Sequence, residues 1–565
     1  MTEAHGRHGI DLVTLEILWN RLIAVTNEQA AALMRTSFTP IVRDIGDLSA
    51  AVFDTRGQML AQATTGTPGH INSLASGMHH FLERFPPDTL EPGDVLITND
   101  PWMTSGQLND ISIVTPVFHR RGLVGFFGNT CHAIDIGGIG LSANGHEVYE
   151  EGLQIPMAKL YTASGPNETL FEMIAANVRA PREVLGDLHA QVAGNQVGAD
   201  RLVAYLEEFG LDDLRVIGDE ILRRSEVAMR AAITALPDGE YTKTCITDGD
   251  LDPISVKVTL CVSGGAVVAD FAGSSPQSDR GLNVVLNYTA AYTNYALKCA
   301  LAPTVPNNEG SFRPVKVTAP EGSIFNPRRP AAVAARQIAG HFIPHAIFGA
   351  LAPILPDRLI AEGAGGIWLT NVRGIGEKKF VAVFFAAGGM GARPGDDGLA
   401  TTSFPSGVAT APVEVIETTS PLVIRCKQFR TDSGGAGRYR GGAGQTIRVE
   451  VRSGERYSVS VLGDRTVTRA AGYAGGGAGA LAEISTDPPA DSDAKFGLRL
   501  AAGTTFTLEL PGGGGYYDPA ERDPELVARD VADGFVSSAA AERDYGWNAG
   551  RNRAAPPGGP APAPP

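Results

Sequence analysis

The sequence predicts an α+β fold, a large multi-subdomain chain with antiparallel β-sheets and packed helices, and three observations carry that reading. Ile111–Phe118 alternates and is rich in β-branched residues, His119–Gly122 makes a turn, and Leu123–Phe127 runs apolar again, which is the pattern of a β-hairpin. Leu15, Leu18, Leu22 and Val25, and further on Ile71, Leu74, Met78, Phe81 and Leu82, recur at helical spacing. From about Pro237 the segments G-E-Y-T-K-T-C-I-T, S-V-K-V-T-L-C-V and A-V-V-A-D-F alternate between turns as an antiparallel meander.

Taken in order, Asp11–Arg35 is an amphipathic opening helix, with Asp11 in the capping position and Pro40 beyond its end. Arg43–Gln62 reads as strand, Arg56-Gly57 turn and strand. That places Asp47 at a strand entrance, where a carboxylate either bonds its own backbone or points into a cleft. His70–Phe85 is the next helix, with His79 and His80 on its solvated face. Pro92-Gly93-Asp94 turns the chain into the strand Val95–Thr98, which delivers Asn99-Asp100-Pro101. Asp100 is there either a pre-proline turn residue or a support for neighbouring side chains. After the hairpin, Asp135-Ile136-Gly137-Gly138 suits a sharp bend. Cys131 and His132 point to opposite faces, as strand neighbours do, so the thiol reads as buried and inert rather than as a nucleophile. Glu150 and Glu151 are adjacent carboxylates beside an apolar run, an arrangement more often solvated than buried.

Helical periodicity runs on to Gly210, and a further helix is expected at Tyr288–Leu301. Arg336 and His341 are a cation and an imidazole able to hold a carbonyl or carboxylate, or else an ordinary helix-start Arg and a packed His. The organisation is an N-terminal α/β region over 1–235, a central β-rich subdomain with helices over 236–430, and a β-rich, Gly-rich region over 431–550. A Pro/Ala tail at 551–565 is expected to be disordered.

Bulk composition narrows the function. A chain of 565 residues exceeds one compact core. A net charge of −15 without basic runs argues against nucleic acid or an anionic membrane as partner, because both require clustered Lys and Arg. The 5 Cys are scattered and lack C-x-x-C spacing, so neither a disulfide framework nor a structural zinc site is expected. With no signal pattern and no bilayer-length apolar run, the expectation is a soluble cytoplasmic chain. The 68 glycines imply tight turns and close backbone approaches, and none of their clusters carries the G-x-x-x-x-G-K-[ST] phosphate loop.

Chemistry concentrates at the hairpin. Asp110 sits just before its first strand and His132 just after its second, so a carboxylate and an imidazole meet at one edge, a pairing that suits a divalent metal. The block Thr98–Gly138, Y-E-E-G-L-Q-I-P at Tyr149–Pro156, the stretch around A-A-R-Q-I-A-G-H and D-Y-G at 544–546 resemble the hydantoinase B family. These are the second subunits of ATP-dependent hydantoinases, 5-oxoprolinases and lactamases, related to acetone and acetophenone carboxylase subunits. The resemblance covers nearly residues 10–547.

What the resemblance implies is specific. The family's H-L-x-D falls on Gln107–Asp110, its following His on His132 and its upstream Asp on Asp47, so the metal ligands are Asp47, Gln107, Asp110 and His132, holding Zn, Mn or Fe. Gln107 departs from the pattern, and its amide oxygen is a weaker ligand than imidazole. His70 stands where the family opens this helix with His, and it is expected to act in catalysis. Asp135 is expected to orient His132 by accepting its second ring N–H.

The implied activity is ring opening of a phosphorylated hydantoin or lactam. A hydantoinase A-type partner subunit would use the ATP, in a hetero-oligomer such as a dimer of heterodimers. The rivals are a ketone carboxylase subunit and a non-catalytic scaffold.

Overall fold

The computed structural model describes residues 11–548 apart from 121, 251, 376–379, 453–455 and 491–496. The expected tail at 551–565 lies outside the described residues. Helices and antiparallel sheets alternate along the chain, as the α+β expectation requires.

The N-terminal sheet consists of β1 (Leu48–Phe53), β2 (Met59–Gln62), β3 (Val95–Thr98), β4 (Asp110–His119), β5 (Gly122–His132), β6 (Ala158–Thr162) and β7 (Gly165–Pro166), in the order β2-β1-β5-β4-β3-β6-β7. The hairpin β4–β5 is its centre, with Asp110 directly opposite His132 and Ile111 opposite Cys131. Both faces are covered, which is why nearly every residue of β4 is buried rather than alternate ones. On one face lie the helices Leu12–Thr36 and Pro181–Glu208, and on the other Pro68–Arg84. Asp11 caps the first of these through the N–H groups of Val13 and Thr14.

A ladder of buried amides fixes the hairpin under the helix Pro181–Glu208. Gln191 Nε2 donates to Ile111 O at 2.8 Å and to Asn129 Oδ1 at 2.8 Å, and Asn129 Nδ2 donates to Asn195 Oδ1 at 2.7 Å. Gln29 Nε2 reaches the same Asn195 oxygen at 2.8 Å. Side chains here hydrogen-bond carbonyls of a sheet that is already paired, so register and helix position are set together.

The second sheet holds Gly239–Thr247, Ile254–Ser263, Ala266–Asp270 and Val315–Thr318. Three strands form the expected meander, but the fourth pairs parallel to Ala266–Asp270 after a crossover that contains the helix Leu286–Leu301. Two further four-stranded sheets pair Trp368–Gly374 with Tyr457–Leu462 and Leu422–Phe429 with Gln445–Val451. Sheets therefore run across the boundary expected near residue 430.

The glycine clusters meet in one bundle. Gly389 N–H donates to Pro511 O at 3.0 Å, Gly442 N–H to Met390 O at 2.8 Å, Gly513 N–H to Gly442 O at 3.0 Å and Gly515 N–H to Gly477 O at 2.9 Å. A Cβ on Gly389 would stand 1.8 Å from Gly442 O, and one on Gly513 2.1 Å from Met390 O. What these glycines supply is space between backbones.

Candidate metal centre

The site is assembled by strand pairing. Asp47 precedes β1, and its carbonyl accepts the N–H of His132 at 3.2 Å, while its own N–H is held by Ile41 O at 3.0 Å. Asp110 opens β4 and His132 closes β5, so the hairpin register alone brings them face to face. Gln107 lies in the turn before β4, and His70 in the first turn of the helix Pro68–Arg84. All five are buried, with Asp110 at 0 % exposure and Asp47 the most open at 7 %.

Asp110 is the hub. Its Oδ1 accepts from Gln107 Nε2 at 2.8 Å and lies 2.9 Å from His132 Nδ1, and its Oδ2 lies 3.0 Å from His70 Nε2. The Arg336 guanidinium also donates to Oδ2, and Arg336 Nε donates to Ser105 O at 2.6 Å. Gln107 Nε2 is 3.0 Å from His132 Nδ1. Asp47 stands 3.6 Å from His70 Nδ1 and 3.9 Å from His132 Nδ1, and accepts from Thr67 Oγ1 at 3.0 Å.

Charge follows from this geometry. Burial would push Asp110 up, but the charges of His70 and Arg336 and the contacts from both imidazoles hold it well below the usual carboxylate range. Burial likewise lowers His70, and Asp110 and Asp47 together outweigh that and raise it. Asp110 is therefore a fixed anion beside a proton-holding His70 and a permanent cation.

Arg336 is placed by two glycines and an aromatic ring. Gly106 takes φ +85°, and a Cβ there would come 2.8 Å from Arg336 Cδ. The guanidinium lies 4.2 Å from the centroid of Tyr288, whose own ring packs on Gly69, next to His70. Tyr288 and Tyr292 each reach His341 Nε2 with their hydroxyls, at 3.3 and 3.0 Å. Burial and the nearby Arg336 charge push His341 down to about 3, so it is a neutral member of this wall.

The structure thus brings together Asp47, His70, Gln107, Asp110 and His132. It does not bring Asp135 to His132. Asp135 accepts the Arg179 backbone N–H and its Nη1 at 2.9 Å, leaving His132 Nε2 buried without a hydrogen-bond partner. The expected orienting contact is absent because a guanidinium just ahead of the helix Pro181–Glu208 takes the carboxylate first.

Asp100 caps its own turn through Trp102 N–H and pairs with Arg329, so its place is structural. Cys131 is buried, and all five cysteines are free. Two residues were undervalued by sequence reasoning. Arg336 was visible only as one end of a motif, and Glu151 only as half of a Glu pair. Glu151 is in fact buried and accepts the N–H groups of Val333 at 2.6 Å and Ala334 at 2.7 Å, anchoring the segment that carries Arg336.

The donor set fits a divalent cation in its chemistry: two carboxylates, imidazole and an amide oxygen. Gln107 Oε1 and His70 Nδ1 are buried with no hydrogen-bond partner, and an unsatisfied buried acceptor costs about 1–3 kcal/mol that a cation would recover. Among the described residues no three His, Cys, Asp or Glu side chains already stand apart as a coordination shell. The side chains are instead drawn onto one another by hydrogen bonds.

A multi-sheet α+β chain with a carboxylate–imidazole cluster at a hairpin edge is the class the fold and site define. The chain belongs to the hydantoinase B/oxoprolinase family, whose model matches residues 11–519. It is 32% identical to the B chain of a D-/L-hydantoinase from Pseudomonas sp. strain NS671, over 95% of each. It is similar to the crystal structure of ATP-dependent caprolactamase from Pseudomonas jessenii, with a TM-score of 0.84 and 27% identity over 95% of this chain and 96% of that one. Acetone carboxylase in its nucleotide-free structure has a TM-score of 0.82 at 19% identity, over 94% of this chain and 79% of that one, a likeness of fold.

Proposed function

We propose that this chain is the hydrolytic subunit of an ATP-dependent cyclic amidase, opening a phosphorylated hydantoin or lactam ring at the Asp110 cluster. The observation that carries the reading is the cluster itself: a buried aspartate contacted by two imidazoles, an amide and a guanidinium at one sheet edge. The similarity to a hydantoinase chain and to an ATP-dependent caprolactamase supports a cyclic-amide substrate.

Asp47, Gln107, Asp110 and His132 would hold a divalent metal (Zn, Mn or Fe), which when bound polarises a carbonyl and lowers the pKa of water. His70 holds a proton at Nε2 against Asp110 Oδ2, within reach of a leaving ring nitrogen that enters the cluster. Arg336 keeps Asp110 ionised, and the tyrosine wall excludes water behind it. Asp47, the most exposed member, marks the side from which substrate arrives.

Activation of the ring belongs to a hydantoinase A-type partner that uses ATP. Two observations support that division: the hydantoinase relative is one chain of a multi-chain enzyme, and this sequence carries no Walker phosphate loop. The proposed complex is cytoplasmic, and no helix among the described residues is long and apolar enough to cross a membrane. The test is to combine the chain with an ATP-dependent partner subunit and assay hydantoins and lactams. Ring opening that needs ATP and both subunits supports the reading. Turnover that instead depends on bicarbonate and a ketone would replace it with the carboxylase reading.

A further inference from the structure

A cavity of about 890 Å³ opens beside the site, lined among others by Phe38, Ile134, Arg179, Arg373, Val381 and Val383. It is connected to the cluster by its walls. Ile134 follows His132 by two residues, and Val381 and Val383 share a strand face with Phe385, whose ring lies 6.5 Å from that of His132.

The charged residues of this cavity are Arg179, Glu183, Arg373 and Arg499. Arg179 is committed to Asp135 and to the carbonyls of Gly137 and Gly138. The Arg373 side chain has no hydrogen bond or ion pair among the described residues, although it is half-buried. Its guanidinium is fixed in place against Gly140, which takes φ +78° and whose Cβ would come 2.5 Å from Arg373 Nη1. Burial and the neighbouring Arg179 lower its pKa, the signature of a cation short of countercharge. A guanidinium is built to grip a planar oxyanion with paired N–H groups.

We propose that this cavity is a binding subsite for a small ligand with an oxyanion head, carboxylate or phosphate, and an apolar body. Arg373 grips the head, and Phe38, Ile134, Val381 and Val383 cover the body. This assignment is independent of the metal and of the reaction at the cluster.

Isothermal titration of the full chain with octanoate and, separately, with inorganic phosphate tests it. Saturable binding of at least one is expected, weakened about tenfold or more in Arg373→Met, as the loss of a charged hydrogen bond predicts. Binding of octanoate assigns a carboxylate head, and binding of phosphate alone assigns a phosphate head. Val383→Trp, which fills the cavity and leaves Arg373 in place, provides a second reading: octanoate binding is expected to fall with it. The proposal is overturned if neither anion binds the wild-type chain, or if binding survives both substitutions unchanged.

Discussion

Arg336 places its guanidinium on Asp110 Oδ2 across 226 residues of sequence, inside a site where both side chains are almost wholly buried. A buried aspartate stripped of its only permanent cation keeps its desolvation penalty and loses the compensation. Arg336→Met is therefore expected to cost about 3–5 kcal/mol in stability by denaturant unfolding. Arg336→Lys should recover part of that, since it restores charge without the second contact to Ser105 O. Wild-type stability in Arg336→Met would show that the pair contributes nothing to the fold.

The second prediction concerns pH. Burial pushes Glu151 up to about 8 from 4.5, against the two backbone N–H groups that it accepts. A folded pKa above the unfolded one means that the native state binds the extra proton. This contribution is whole below about pH 4.5 and is lost as pH rises through about 8. On the order of a few kcal/mol should disappear across that window. Glu151→Gln keeps an oxygen for Val333 and Ala334 and removes the titration, so its unfolding midpoint should vary less between pH 5 and 9. An equally steep profile in the variant would assign the dependence to another group.

These two residues also mark where the sequence stops being readable. The hairpin and the helices announced themselves through periods of 2 and about 3.6 residues, which are local signals. Asp110 and His132 followed from the hairpin, because its register is short-range. Arg336 arrives through a crossover and three elements of packing, which no local pattern encodes. Glu151 looked solvated because adjacent glutamates usually are, and only the backbone N–H groups of 333 and 334 explain its burial. Asp135 was mispaired for the same reason: Arg179, 44 residues on, competes for it. The parallel strand Val315–Thr318 was missed because alternation fixes a strand's faces and leaves its direction open.

Among the glycines, the bundle predicts a sharp contrast. A Cβ on Gly513 would stand 2.1 Å from Met390 O, a backbone atom that cannot move without shifting its neighbours. One on Gly122 would meet nothing nearer than His119 O at 3.7 Å. Gly513→Ala should lower the melting temperature severely or abolish soluble expression, whereas Gly122→Ala should stay within about 0.5 kcal/mol of wild type. Equal tolerance of both would mean that the bundle is looser than its hydrogen bonds imply.

The last prediction turns on Gln107, the one proposed ligand position where the chain departs from its family's pattern. Its Nε2 spans Asp110 Oδ1 and His132 Nδ1, so a side chain at 107 faces the cluster. Under the proposed metal assignment, Asp110→Ala and His132→Ala should strip metal from the purified chain, measured by inductively coupled plasma mass spectrometry. Gln107→His should do the opposite and tighten binding, because imidazole is a far better donor than a neutral amide to Zn, Fe or Mn. Turnover need not rise with it, since a further strong ligand can occupy the position that a catalytic metal leaves open for water. Tighter metal with equal or lower ring opening is the expected pair of results. If Gln107→His binds no more metal than wild type while Asp110→Ala loses it, the fourth ligand is His70, the only other imidazole among the described residues in contact with both aspartates.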